Sequence, residues 1–144
     1  MEVIVAENDA QYRDALKVRE AVFIHEQKVP PELEIDEYEK EAVHFVVYDD
    51  GTPVGAGRLR NKNGFGKVER ICVLPSHRHK KIGSLIMEAI ERKAKALGYQ
   101  TLLLNAQTHA IPFYEKLGYQ ITSEEFEEAG IPHVEMRKVL SDAR

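Results

Sequence analysis

Apolar and polar positions follow several distinct patterns along this chain, and each predicts a different element. Val3-Ile4-Val5-Ala6 is a short apolar run that reads as a strand. Asn8-Asp9 then offers a helix cap before a segment running to about Gln27, with Leu16, Arg19 and Phe23 on one face. From Glu26 to Glu41 the periodicity lapses. Pro30-Pro31 interrupts any helix, and Glu26, Glu32, Glu34, Asp36, Glu37, Glu39 and Glu41 outnumber the lysines there, so an acidic loop or broken helix is expected. His44 to Tyr48 reads as a strand, Asp49-Asp50-Gly51 as a tight turn and Pro53 to Arg60 as the returning strand. After Asn61-Lys62-Asn63-Gly64, the segment Lys67 to Val73 predicts a third strand, closed by Leu74-Pro75 because a residue before proline avoids helical geometry.

The clearest period follows. Ile82, Leu85, Ile86, Ala89, Ile90, Ala94 and Leu97 recur at three- and four-residue steps, which predicts an amphipathic helix stopped at Gly98. Thr101 to Ala106 is apolar without alternation, the pattern of a strand covered on both faces. A short helix over Ile111 to Leu117 ends at Gly118, and strands near Tyr119 to Thr122 and His133 to Leu140 complete the pattern. With no repeat or linker, the alternation predicts one layered domain over residues 1–144, a mixed sheet with helices on both sides.

Composition narrows the function classes. At 144 residues the chain can bury a core without metal or disulfide staples. No apolar run approaches the roughly 20 residues that span a bilayer, and the first residues carry no export pattern, so no membrane association and a cytoplasmic location are expected. Cys72 is the only cysteine, which excludes an internal disulfide and fits a reducing compartment. A net charge of −4 argues against a general nucleic-acid binder. The histidines show no ligand spacing, so no metal site is expected.

The basic residues cluster at one place. A strand ending at Val73, the turn Ser76-His77-Arg78-His79-Lys80-Lys81 and a helix from Ile82 form a strand-turn-helix unit. The free N–H groups and positive dipole end of that helix would attract an anion, the basic side chains would add to the field, and Gly83 would admit a phosphate close to the backbone. From charge alone the same residues read rather as a solvated basic loop.

In context they point further. Val73-Leu74-Pro75 followed by Arg78-His79-Lys80-Lys81-Ile82-Gly83 resembles the acetyl-CoA motif of the GNAT acetyltransferase superfamily, usually Arg/Gln-x-x-Gly-x-Gly/Ala, with Lys81 standing where the first glycine falls. Lysine fits there if its dihedrals are helical and is strained at positive φ. Leu104-Asn105 and Ile111-Pro112-Phe113-Tyr114-Glu115-Lys116-Leu117-Gly118-Tyr119 extend the resemblance. Leu16 to Phe23, Glu26-Gln27 and Gly130-Ile131-Pro132-His133 look like one bacterial subgroup.

The resemblance implies an α+β fold of three layers, α/β/α, around a mixed, mostly antiparallel sheet of six to seven strands. It also implies acetyl-CoA as cosubstrate, lying between the strands Lys67 to Val73 and Thr101 to Ala106. Its pantetheine would pair with the main chain of Ile71, Cys72 and Val73, and its diphosphate would rest on Arg78, His79, Lys80, Lys81, Ile82, Gly83 and Ser84. Asn105 and Phe113 would contribute further contacts. Phe23, Glu26 and Arg58 would border the acceptor, a small-molecule or peptide amine, with the acidic segment attracting a cation.

Direct transfer needs a base for the ammonium and a weak acid near the departing thiolate. Glu69, two residues before Ile71, is the expected base, though a strand-surface charge pair is the competing reading. Tyr114 matches the superfamily's usual acid. Cys72 reads as a small buried hydrophobe, since no histidine is spaced to activate it. The expected activity is an acetyl-CoA-dependent N-acetyltransferase working through a ternary complex, as monomer or homodimer. A CoA-binding sensor without turnover is the alternative.

Overall fold

The computed structural model describes residues 1–140. Strand β1 (Glu2–Val5) leads to helix α1 (Asp9–Arg19), whose N-terminus is capped by the Asn8 side chain accepting from the Gln11 N–H at 2.8 Å. Helix α1 continues into a π-helical segment, Glu20–Glu26, where the Gln27 N–H reaches back five residues to the Val22 carbonyl. The sequence pattern predicts ordinary helix throughout, and the wider turn is a departure of a kind that often marks functional sites. A four-residue helix α2 (Pro31–Glu34) interrupts the acidic segment.

Strands β2 (Val43–Asp49), β3 (Thr52–Lys62) and β4 (Phe65–Val73) form the expected antiparallel meander. Helix α3 (Ile82–Ala96) crosses to β5 (Thr101–Gln107), and helix α4 (Ile111–Lys116) leads to β6 (Gln120–Ile121), β7 (Phe126–Glu128) and β8 (Ile131–Val139). Among the described residues the sheet has eight strands in the order β1-β2-β3-β4-β5-β8-β6, with β7 paired to β8. All pairings are antiparallel except β4 with β5. The strand β7 has only three residues, too few for an alternation to be read.

Two apolar layers hold the helices to this sheet. Ile82, Ile86, Met87, Ile90 and Ala94 of α3 pack with Leu59, Leu102, Leu104 and Met136 on one face, all essentially withdrawn from solvent. On the other face Ala15, Val18 and Val22 cover Val46, Ala56 and Cys72. Close approach of α3 depends on glycine at one strand position: a Cβ on Gly57 would sit 2.9 Å from Ile71 and 3.0 Å from Ile86.

The face under α1 also buries charge. Arg19 and Arg58 are both 0% exposed. Arg19 donates to Glu34 through Nε at 2.9 Å and to Glu39 through Nη1 at 2.7 Å. Arg58 spans Asp36, Glu39 and Glu69 at 2.8, 2.7 and 2.6 Å. Burial alone would push the Glu39 carboxyl up, but hydrogen bonds from Arg19 and Tyr12 and the Arg19 charge outweigh it, holding its pKa at about 2. The acidic segment therefore divides: Glu34 and Glu39 are buried ion-pair partners, while Glu32, Glu37 and Glu41 face solvent.

Candidate active site

The site originates in one irregularity of β4. Ala56 faces Cys72 and Arg58 faces Glu69, so Gly57 alone opposes both Arg70 and Ile71. This is a β-bulge, and Arg70 adopts φ +60° within it. The parallel pairing of β4 with β5 ends at Val68 and Leu104. Beyond that point the strands part, and the edge of Ile71 to Val73 that faces β5 carries no strand.

The opening is a cleft of about 870 Å³ bordered by both strands, the π-helical segment, the start of α3 and α4, and the Glu128 to His133 hairpin. It gathers Glu69, Tyr114, Ile71, Cys72, Val73, Arg78, Gly83, Asn105 and Phe113 of the expected residues, together with Phe23 and Glu26. Two bridges cross it. Arg78 meets Glu26 through both terminal nitrogens, at 2.7 and 2.5 Å, and donates from Nε to the Val73 carbonyl at 3.0 Å. The Gln107 amide donates to the Gln27 carbonyl oxygen at 2.8 Å.

The basic turn is built differently from its side-chain composition. His79 and Lys80 are exposed, and Ile82 is a core residue whose contribution at the surface is confined to its backbone. Lys81 has φ +61° and ψ +20°, the left-handed conformation and not the helical one that suits a lysine. It is the N-terminal flanking residue of α3, and no side chain caps the helix. The first helical bond runs from the Leu85 N–H to the Lys81 carbonyl at 3.2 Å, so the N–H groups of Ile82, Gly83 and Ser84 have no partner within the helix. Gly83 also has a packing role: a Cβ there would lie 3.0 Å from the Phe113 ring.

Several expected roles meet a different environment. Arg58 does not line the cleft, because all its nitrogens are spent on Asp36, Glu39 and Glu69 in the core. Glu69 is surrounded by Arg58, Arg60 and Lys67 at 2.6, 2.9 and 3.2 Å. Burial raises its pKa, but the Arg58 and Lys67 charges and the arginine hydrogen bonds overcome that and leave it below the usual carboxylate range. The Asn105 amide donates to Glu128 at 3.1 Å. Burial pushes the Cys72 thiol up to about 12, so it is no thiolate at neutral pH.

Tyr114 borders the cleft from α4, with its ring edge-on to Phe113 and Tyr119. Burial raises its pKa, and the phenol stays protonated. The hairpin contributes His133, which stacks on Phe126. Its Nδ1 is 2.7 Å from the Ile131 carbonyl, an acceptor, so Nδ1 carries the proton and Nε2 holds the lone pair in the neutral ring. Nε2 is 3.7 Å from Glu128. His133, Arg60, Lys67 and Tyr38 line the cleft although nothing local in the sequence marks them as a group. Arg60 and Lys67 face each other in one hairpin, but Tyr38 and His133 come from elements far from it along the chain.

A mixed sheet whose two central parallel strands separate over an uncapped helix end defines a class of acyl-transfer folds, and the comparisons agree. The acetyltransferase (GNAT) domain family matches residues 7–140. The chain is 55% identical over 139 residues to the Bacillus subtilis uncharacterized N-acetyltransferase YjcF, covering 96% of this chain and 99% of that one. The crystal structure of Escherichia coli ElaA superposes with a TM-score of 0.86 at 25% identity over 96% of this chain and 99% of that one. An aminoglycoside 6'-N-acetyltransferase crystallised with coenzyme A shares the fold, with a TM-score of 0.79 at 16% identity over 100% of this chain and 99% of that one. The chain belongs to the GNAT acetyltransferase family.

Proposed function

We propose that this protein transfers an acetyl group from acetyl-CoA to a primary amine, directly within a ternary complex. The observation that carries the reading is the bulge at Arg70 and Ile71, which opens β4 from β5 in front of the uncapped α3 N-terminus. The residues fit the cosubstrate. The free β4 edge at Ile71 to Val73 suits the pantetheine amides as an added strand, and the N–H groups of Ile82, Gly83 and Ser84 suit the diphosphate. Arg78 stands at the same end and would exchange Glu26 for phosphate oxygens. Acetyl-CoA supplies an acyl carbon already bonded to a good leaving group.

The chain's own residues then handle protons. His133 is the better base, since it lines the cleft with Nδ1 held by the Ile131 carbonyl and the Nε2 lone pair left to take a proton, beside Glu128 at 3.7 Å. Glu69, in the field of three cations, accepts a proton poorly and instead holds Arg60 and Lys67 in place. His133 takes the proton of the incoming ammonium, which frees the nitrogen lone pair, and the second proton, lost from nitrogen as the C–N bond forms and the C–S bond breaks, goes to the departing thiolate. Tyr114 keeps its proton and donates a hydrogen bond to the departing sulfur. Full transfer from so weak an acid is uphill, and stabilising a thiolate with a pKa near about 8.5 does not require it. Backbone N–H groups at Ile71 to Val73 are suited to the developing oxyanion.

The test is to incubate the protein with acetyl-CoA and a panel of primary amines while following free thiol and acetylated product. His133→Asn is expected to lower kcat by roughly 10²- to 10⁴-fold and Tyr114→Phe by a smaller factor, with CoA affinity little changed. Binding of CoA without thiol release from any amine would favour a sensor.

A further inference from the structure

The acidic segment suggests an acceptor drawn in by negative charge, but its carboxylates at the cleft are already paired with cations. Glu34 pairs with Arg19 and Arg70, Asp36 with Arg58 and Arg70, and Glu39 with Arg19 and Arg58. Glu69 pairs with Arg58, Arg60 and Lys67. Four carboxylates thus share five cations, and the unmatched positive charge is not spread evenly. Arg19 and Arg58 donate from Nε, Nη1 and Nη2 alike to protein oxygens. Arg60 donates from Nε alone, to Glu69 at 2.9 Å, and among the described residues neither of its Nη nitrogens has a hydrogen-bond acceptor.

Those two nitrogens are held in a fixed plane. The Arg60 Cζ lies 3.8 Å from the centroid of the Tyr38 ring, so an aromatic face and a carboxylate together lock the guanidinium. Lys67 stands on the same carboxylate, its Nζ 3.2 Å from Glu69 Oε2. The side chains of Arg60 and Lys67 are only 7% and 10% exposed, and both border the cleft. Both Nη atoms keep contact with solvent, so a carboxylate entering the cleft would replace water there with a charge-assisted pair. The fork geometry of Nη1 and Nη2 matches the two oxygens of a carboxylate.

We propose that Arg60 and Lys67 form a carboxylate subsite for the acceptor, so that the amine acetylated here belongs to an amino acid or a similar zwitterion. This rests on the transferase reading above, with His133 at the amine. The strand register gives the spacing. Lys67 pairs with Leu103 and His133 with Gln107, four residues or about 13 Å along β5, and because β4 and β8 flank β5 on opposite sides, about 10 Å apart, the two backbones stand about 16 Å from each other. Side-chain reach shortens that gap from both ends. A carboxylate separated from the amine by several methylenes spans the remainder, whereas one on the carbon bearing the amine does not.

The experiment separates the subsite from the transferase reading by measuring binding and turnover. In titration calorimetry with CoA present, 6-acetamidohexanoate and N-hexylacetamide differ in carrying or lacking the carboxylate, and neither needs turnover to bind. The expected result is at least tenfold tighter binding of the carboxylate compound, a preference abolished by Arg60→Gln and reduced by Arg60→Lys, which keeps the charge but loses the fork. Equal affinity in the wild type, or a preference that survives both Arg60→Gln and Lys67→Met, overturns the subsite. With acetyl-CoA, 6-aminohexanoate should exceed hexylamine at least tenfold in kcat/KM, with glycine well below the longer acid. If hexylamine is the better acceptor, the transferase reading stands and the subsite falls. If no amine is acetylated while the carboxylate compound still binds selectively, the transferase reading falls and the subsite stands.

Discussion

The two faces of the sheet are held by different physics. Under α3 the contact is apolar throughout, Ile82, Ile86, Met87 and Ile90 against Leu59, Leu102, Leu104 and Met136. Such burial is non-directional and scales with area. Under α1 and the acidic segment, Arg19 and Arg58 are sunk among Glu34, Asp36, Glu39 and Glu69, where each guanidinium is costly to desolvate and each hydrogen bond fixes a direction. The cleft borders the charged side, where Arg60, Lys67, Glu69 and Arg70 along its wall belong to this network, while Arg78 and Glu26 pair with each other. The apolar face supplies stability, and the charged face holds side chains in orientation.

The most forceful way to break that distinction is Arg19→Met, which leaves Glu34 and Glu39 without their shared arginine and is expected to cost about 3–5 kcal/mol in a urea unfolding curve. Ile86→Ala on the opposite face should cost about 2–5 kcal/mol through its cavity. The informative measurement is kcat of each variant where it is still folded. Ile86→Ala should retain kcat within a few-fold, while Arg19→Met should lose it, and equal losses would mean that the faces do not divide the work.

Acid sharpens the same comparison. Because the Glu39 pKa is about 2 in the fold against an ordinary 4.5, its contribution is complete above pH 4.5 and disappears as pH falls towards 2. That displacement corresponds to stability on the order of 3 kcal/mol, and Glu39→Gln should remove this part of the pH dependence of the urea midpoint. The smallest effect lies at the phosphate turn. Lys81→Gly relieves a left-handed lysine and is expected to raise stability by at most about 1 kcal/mol, a small upward shift in Tm.

Legibility in the sequence followed the range of the interaction. The α3 period, the Leu74-Pro75 stop and the Gly98 and Gly118 terminations are local, and each appears where the pattern places it. Tyr114, Gly83 and the Ile71 to Val73 edge were reachable because they sit inside contiguous motifs, and all of them border the cleft. Arg58 was visible as a basic strand residue, yet only its partners from the acidic segment and β4 reveal that it is fully buried. The conformation of Lys81 was likewise open, since lysine is compatible with either sign of φ at different cost and the turn geometry decided between them.

By itself the sequence determined the layering, the strand-turn-helix unit and the family, because periodicity, capping and motif spacing act over a few residues. Only the tertiary structure decided which charges remain available. Glu26, Glu34, Asp36, Glu39 and Glu69 look alike along the chain, but their chemistry depends on the arginine that folding brings to each. Electrostatic pairing depends on distance in space and on local burial, and neither is a property of position along the chain.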